Sequence, residues 1–203
     1  MILAFDTSTA ACTAALFDEN GGCIGRADER IGRGHSERLM PMLAELLGGR
    51  AASRIIVGVG PGSFTGIRVG IAAAHGLAIG WGAELEGMSS LALIAAGAQS
   101  ENEVATAITG GHGELFVQQF AGGTLEPISE IRNLSPAEAA AATSAQLVIG
   151  SGAQQLVDCR GWGEARDAWP SAASALLLPE DLRSLLARPV YARAPDSKAK
   201  EAA

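Results

Sequence analysis

A chain of 203 residues with 48% hydrophobic side chains can enclose one core or two small lobes, which excludes a disordered protein. Its formal charge of −7 excludes a broad basic face for nucleic acid or a membrane, because phosphate affinity is drawn from Lys and Arg; any nucleic-acid contact would be lent by a partner. Aromatic residues make up only 4% while glycines number 26, so the core should be aliphatic, with backbones in close approach.

In chain order, residues 2–6 form a short apolar run ending in Asp6-Thr7-Ser8-Thr9. Residues 12–17 form a second, closed by Asn20-Gly21-Gly22, and residues 23–30 supply a third strand. Leu39, Leu43, Leu46 and Leu47 recur at helical spacing over 36–47, and Gly48-Gly49 ends that helix. The β-branched run 55–59 suits a buried strand. It leads through Gly60-Pro61-Gly62-Ser63-Phe64-Thr65-Gly66 into a helix over 64–80, whose apolar tract 69–83 is shorter than the ~20 residues of a membrane span and reads as a buried soluble helix. A strand over 84–88 and a helix over 91–99, capped by Ser89-Ser90, complete a first lobe of residues 1–100.

Strands over 104–108 and 114–120 restart a sheet in a smaller second lobe, 101–187. Ser135-Pro136-Ala137-Glu138 signals a helix over 135–142, and a strand follows at 147–150. Residues 171–187 read as helical with a break at Pro179, residues 188–193 should rejoin the first lobe, and a frayed tail is expected over 194–203. No internal repeat is visible. The N-terminus has no basic segment and meets Asp6 too early for a signal peptide. Cys12, Cys23 and Cys159 show no C-x-x-C spacing, so a cytoplasmic protein with packed thiols is expected.

Asp6-Thr7-Ser8 reads in two ways: a phosphate cradle whose carboxylate holds a hydrated metal, or an exposed turn stabilised by its own side chains. Gly62 and Ser63 likewise either offer amides to an anion at the helix's positive end or form a tight strand-to-helix joint. The segment has neither P-loop nor dinucleotide spacing. His35, His75 and His112 lie in three separate elements without metal-ligand spacing, which disfavours zinc or iron. No Gly-x-Ser-x-Gly elbow supports a serine hydrolase.

Three stretches resemble the TsaB (YeaZ) family: Leu3-Ala4-Phe5-Asp6-Thr7-Ser8-Thr9, Arg33-Gly34-His35-Ser36-Glu37-Arg38-Leu39-Met40-Pro41, and Gly60-Pro61-Gly62-Ser63-Phe64-Thr65-Gly66-Ile67-Arg68-Val69-Gly70. Pro189-Val190-Tyr191-Ala192-Arg193 is similar to the family's closing element. The resemblance implies an α/β, actin-like fold of two ribonuclease H-like lobes. It also implies a non-catalytic subunit for threonylcarbamoylation of adenosine 37 in tRNA, partnered by the catalytic homologue TsaD and the ATPase TsaE. No cofactor of its own is implied; ATP or ADP would sit at the shared interface, and tRNA would be met only through the complex.

By the same resemblance, the metal-binding histidines of TsaD fall at Ser90 and Ile94, neither of which can replace them. The turn Thr109-Gly110-Gly111-His112 departs from the family by losing charges at 109 and 111. The helices 36–47 and 64–80 are the expected docking face for TsaD, and for a second copy when TsaD is absent. Gly66, Gly70, Ala73, Ala74 and Leu77 would form a flat strip, extended by Met40 and Leu43, unless that strip faces the chain's own sheet. The alternative function is a small-molecule kinase or ATPase of the same superfamily.

Overall fold

The computed structural model describes residues 1–192. Two mixed sheets of five strands each carry the fold, and their strand orders match. The first, ordered β3-β2-β1-β4-β5, contains β1 (Ile2–Asp6), β2 (Ala11–Phe17), β3 (Cys23–Arg30), β4 (Arg54–Gly58) and β5 (Glu84–Met88). The second contains β6 (Val104–Thr109), β7 (Leu115–Phe120), β8 (Arg132–Leu134), β9 (Leu147–Ile149) and β10 (Glu164–Arg166), in the order β8-β7-β6-β9-β10. In each sheet an antiparallel meander is followed by two parallel strands. The helices α1 (His35–Leu47) and α2 (Phe64–Trp81) occupy the connections that α4 (Pro136–Ala142) and α5 (Ala153–Arg160) occupy in the second lobe. The repeat that the sequence hides is therefore plain in the topology, and the arrangement is the expected actin-like pair of ribonuclease H-like lobes.

Strand position explains strand composition. β2 lies inside its sheet and is buried along its whole length, whereas β3 lies on the edge and alternates between exposed and half-buried residues. α3 (Ser90–Ala98) is buried from Ser90 to Ala96 because it packs with residues of both sheets, Ala4 and Ile56 on one side and Val104 and Ile108 on the other. Ser89 caps it by accepting the Ala92 N–H at 3.3 Å. The capping box at Ser135 and Glu138 forms in full.

Several expectations need correction. α5, β8 and β10 were not legible in the sequence. Residues 171–187 are not a broken α-helix: a 3-10 turn covers Ala172–Leu177, α6 (Glu180–Arg183) follows Pro179, and Leu185 then pairs with Gly87 at the edge of the first sheet. Contact with the first lobe thus begins well ahead of 188–193: Asp167 pairs with Arg30, Ser171 Oγ donates to Asp28, and the Ala172 N–H donates to Thr13 Oγ1 at 2.7 Å. Arg193 and the tail expected to fray lie outside the described residues.

α2 is not buried on all sides, since Phe64 is 56% and Ile79 84% exposed. Its buried face consists of Gly66, Ile67, Gly70, Ile71 and Ala74. A Cβ on Gly66 would lie 2.0 Å from the Thr7 carbonyl oxygen, and one on Gly70 2.5 Å from Thr7 Oγ1, so these glycines let the helix lie against the β1–β2 turn. Gly66, Gly70 and Ala74, together with Leu43 of α1, consequently serve this chain's own core and are not a surface strip; Ala73 and Leu77 are half-buried, and Met40 is exposed. Among the described residues, no helix is long and apolar enough to cross a membrane.

Candidate functional site

Asp6, at the end of β1, is fully buried, as are Thr7 and Ser8 to within 1%. The expected exposed turn is instead a knot of the first lobe. Asp6 Oδ1 accepts the Ser8 N–H and the Ser8 hydroxyl, each at 2.7 Å, and Oδ2 accepts the Ser90 hydroxyl at 2.5 Å. Ser90 Oγ in turn accepts the Gly60 N–H at 3.2 Å, and the Thr7 hydroxyl donates to the Gly66 carbonyl at 2.7 Å. The turn after β1, the joint before α2 and the start of α3 are thereby tied through one carboxylate. With three of its roughly four acceptor sites taken, the carboxylate is turned into the first lobe and does not line the cleft.

Beyond Ser8 a cleft of about 1160 Å³ opens between the two sheets. The first lobe contributes Ser8, Gly62 and Ser63 to its wall, so these three of the five candidate phosphate-facing residues do reach the cleft, while Asp6 and Thr7 stay behind it. The second lobe contributes the Thr109–His112 turn and Ser151. Arg68, one turn into α2, lies with its guanidinium 3.5 Å from the Phe64 ring centroid, and its Nε donates to the Tyr191 hydroxyl at 3.0 Å. Elsewhere in the cleft lining, Arg30 at the end of β3 stacks 4.2 Å from the Trp169 ring and pairs with Asp167 at 3.5 Å. Sequence reasoning missed Arg68, Tyr191, Arg30, Trp169 and Ser151 as cleft residues. The first two stand in the motifs quoted above, but no spacing rule joins residues 123 positions apart.

The remaining candidates are dispersed. His35 is buried against the Ala11 carbonyl at 3.2 Å, His75 is exposed on α2, and His112 sits in the β6–β7 turn. Among the described residues, no three or more His, Cys, Asp or Glu side chains gather as metal ligands. Ser90 and Ile94 are both packed in the interior at 0% and 1% exposure. Burial pushes the Cys12 thiol up to about 11, helped by Glu29 and Asp6 and opposed by Arg38, which keeps it protonated and unreactive.

The duplicated strand order and the cleft between the lobes define a protein of the actin-like class. The family model for TsaD, tRNA N6-adenosine threonylcarbamoyltransferase, matches residues 16–158. Within that class the chain belongs to the TsaB (YeaZ) family. A solved structure of an uncharacterized Pseudomonas aeruginosa protein with similarity to peptidase YeaZ is 32% identical, with a TM-score of 0.80 over 95% of this chain and 99% of that one. YeaZ from Pseudomonas aeruginosa is 29% identical, with a TM-score of 0.75 over 94% and 98%. The Escherichia coli tRNA threonylcarbamoyladenosine biosynthesis protein TsaB is 38% identical over 127 residues, 59% of this chain and 54% of that protein. The match therefore spans about half the length of the curated relatives, the Haemophilus influenzae TsaB included at 52%.

Proposed function

We propose that the chain is a non-catalytic subunit in threonylcarbamoylation of adenosine 37 of tRNA. It docks the catalytic homologue TsaD, with TsaE as a further component, and meets tRNA only through that complex, in the cytoplasm. The observation that carries this reading is the pair Ser90 and Ile94. The two positions that the resemblance sets against TsaD's metal-binding histidines hold a hydroxyl engaged with Asp6 and an aliphatic core residue. The naming of the Escherichia coli and Haemophilus influenzae relatives supports the pathway.

The docking surface is the outward side of α1 and α2, which offers Met40 and Ile79 at 45% and 84% exposure, and a second copy uses it when TsaD is absent. Nucleotide, where needed, sits at the interface with TsaD. The alternative, a small-molecule kinase or ATPase, requires a free acid facing the phosphates, and Asp6 is already engaged by Ser8 and Ser90.

The test is reconstitution with purified partners. Transfer to tRNA is expected only when TsaD is present. Met40→Glu and Ile79→Glu are expected to fold and to lose association with TsaD. Metal-dependent transfer by the chain alone would overturn the non-catalytic reading, and folded variants binding TsaD at parental affinity would overturn the surface.

A further inference from the structure

Several hydrogen-bond donors of residues that line the cleft have no protein acceptor among the described residues. Arg68 spends Nε on Tyr191 Oη, but the terminal N–H groups of its fork meet no acceptor, and no carboxylate pairs with it, among the described residues. Ser63 Oγ accepts the Gly66 N–H at 3.2 Å and Ser151 Oγ accepts the Thr109 N–H at 3.1 Å, so each hydroxyl still has its proton to give. Trp169 also lines the cleft, with its indole Nε1 enclosed in the wall and without a partner. Ser63 and Ser151 occupy the same turn of the repeated fold, between the fourth strand and the following helix of each lobe, so the positive ends of α2 and α5 meet the cleft from both sides.

Acidic groups are scarce. Among the described residues Asp167 is the one carboxylate lining the cleft, and it is turned to Arg30. A chain of net charge −7 thus holds an unneutralised guanidinium in place by stacking on Phe64 beside Tyr191, in a cleft that Trp169 also lines.

We propose that the cleft binds a small phosphomonoester with a flat apolar body, without a divalent metal. The Arg68 fork and the Ser63 and Ser151 hydroxyls receive the phosphate, and the aromatic walls take the body. A phosphate suits donors arriving from two lobes better than a planar carboxylate does, because its oxygens point in three directions. A metal-bound nucleotide is disfavoured because Asp6 is engaged and the equivalent turn of the second lobe carries Thr109 instead of an acid.

Phenyl phosphate is the probe, titrated in EDTA by calorimetry and by the ¹H–¹⁵N resonance of the Trp169 indole, assigned with Trp169→Phe. Saturable binding with a shift of that resonance is expected, while benzyl alcohol leaves it unmoved. Arg68→Ala should weaken binding about tenfold or more, the worth of a charge-assisted hydrogen bond. Ser151→Ala, on the other lobe and away from the Arg68 stack, should weaken it by roughly threefold. Circular dichroism confirms that both are folded, and Ser151→Ala decides the matter if Arg68→Ala is not. No shift at millimolar probe, parental affinity in both folded variants, inorganic phosphate binding as tightly as phenyl phosphate, or preference for magnesium ATP would each overturn the proposal.

Discussion

Asp6→Ala should destabilise the chain by about 2–4 kcal/mol while leaving it folded in water. The side chain removes from water a carboxylate that accepts the Ser8 N–H, the Ser8 hydroxyl and the Ser90 hydroxyl. Truncation leaves these donors in a site with no solvent. The Ser8 hydroxyl can rotate to another acceptor, so two donors are counted as unsatisfied, at about 1–3 kcal/mol each. The gain from no longer burying a charge offsets part of that cost. Asp6→Asn keeps Oδ1 for Ser8, and its amide can donate to Ser90 Oγ, so it should cost about 1 kcal/mol. Urea denaturation with an unchanged slope measures both. An Ala variant within about 0.5 kcal/mol of the parent, the range of an inconsequential surface change, would refute the reading of Asp6 as the tie between three segments.

Ala74→Glu places a carboxylate at a fully buried point of the first-lobe core, and loss of about 3 kcal/mol or more in a chemical melt is expected. Ellman's reagent should react with the exposed Cys23 and Cys159 in the folded chain, and with Cys12 only after denaturant is added. The Arg38 guanidinium hydrogen-bonded to Glu29 holds that carboxyl below its ordinary 4.5, so its contribution is complete above the usual carboxylate range and is lost as pH falls through the lowered value. Glu29→Gln should therefore be less stable than the parent at neutral pH, with the gap closing in acid; a gap that widens in acid would contradict the sign.

The elements legible in the sequence are those with an apolar run, a helical period, or explicit turn and capping residues at their ends, as at β3 after Asn20-Gly21-Gly22 and α4 after Ser135-Pro136. β1, β2, β4 and the helices α1 to α3 all fall within a residue or two of their expected positions. Those that were missed are short or mixed. β8 is Arg132-Asn133-Leu134 and β10 is Glu164-Ala165-Arg166, edge strands whose composition reads as loop, and α5 runs Gln154-Gln155-Leu156 without a sustained apolar face. The small residues of α2 announce a close approach, but composition cannot say to what. The Thr7 backbone, against which Gly66 packs, answers that. Asp6 was misjudged for a related reason, since turn chemistry is local while the residue that buries its carboxylate, Ser90, arrives from 84 positions away.

The repeated topology sharpens what the cleft can do. The turns after β1 and after β6 are equivalent, and a lobe-to-lobe phosphoryl transfer would use them to hold a metal-charged phosphate from both sides. Here the first turn spends its acid on Ser8 and Ser90, while Thr109, where the second begins, is exposed with its N–H given to Ser151. Closure is hindered as well. α3 is packed into both sheets, and the segment from Ser171 onward is bound to the first lobe at Asp28, Thr13, Gly87 and, through the Val190 N–H, the Val59 carbonyl at 2.9 Å. To shut the cleft, the lobes would have to shear a core of close-packed aliphatic side chains, which deforms poorly. A cleft held open by that packing would not exclude water from a transferring phosphoryl group, in keeping with the non-catalytic role proposed above. The same packing would suit the proposed platform, because a surface fixed in its docking geometry loses little conformational entropy when a partner binds.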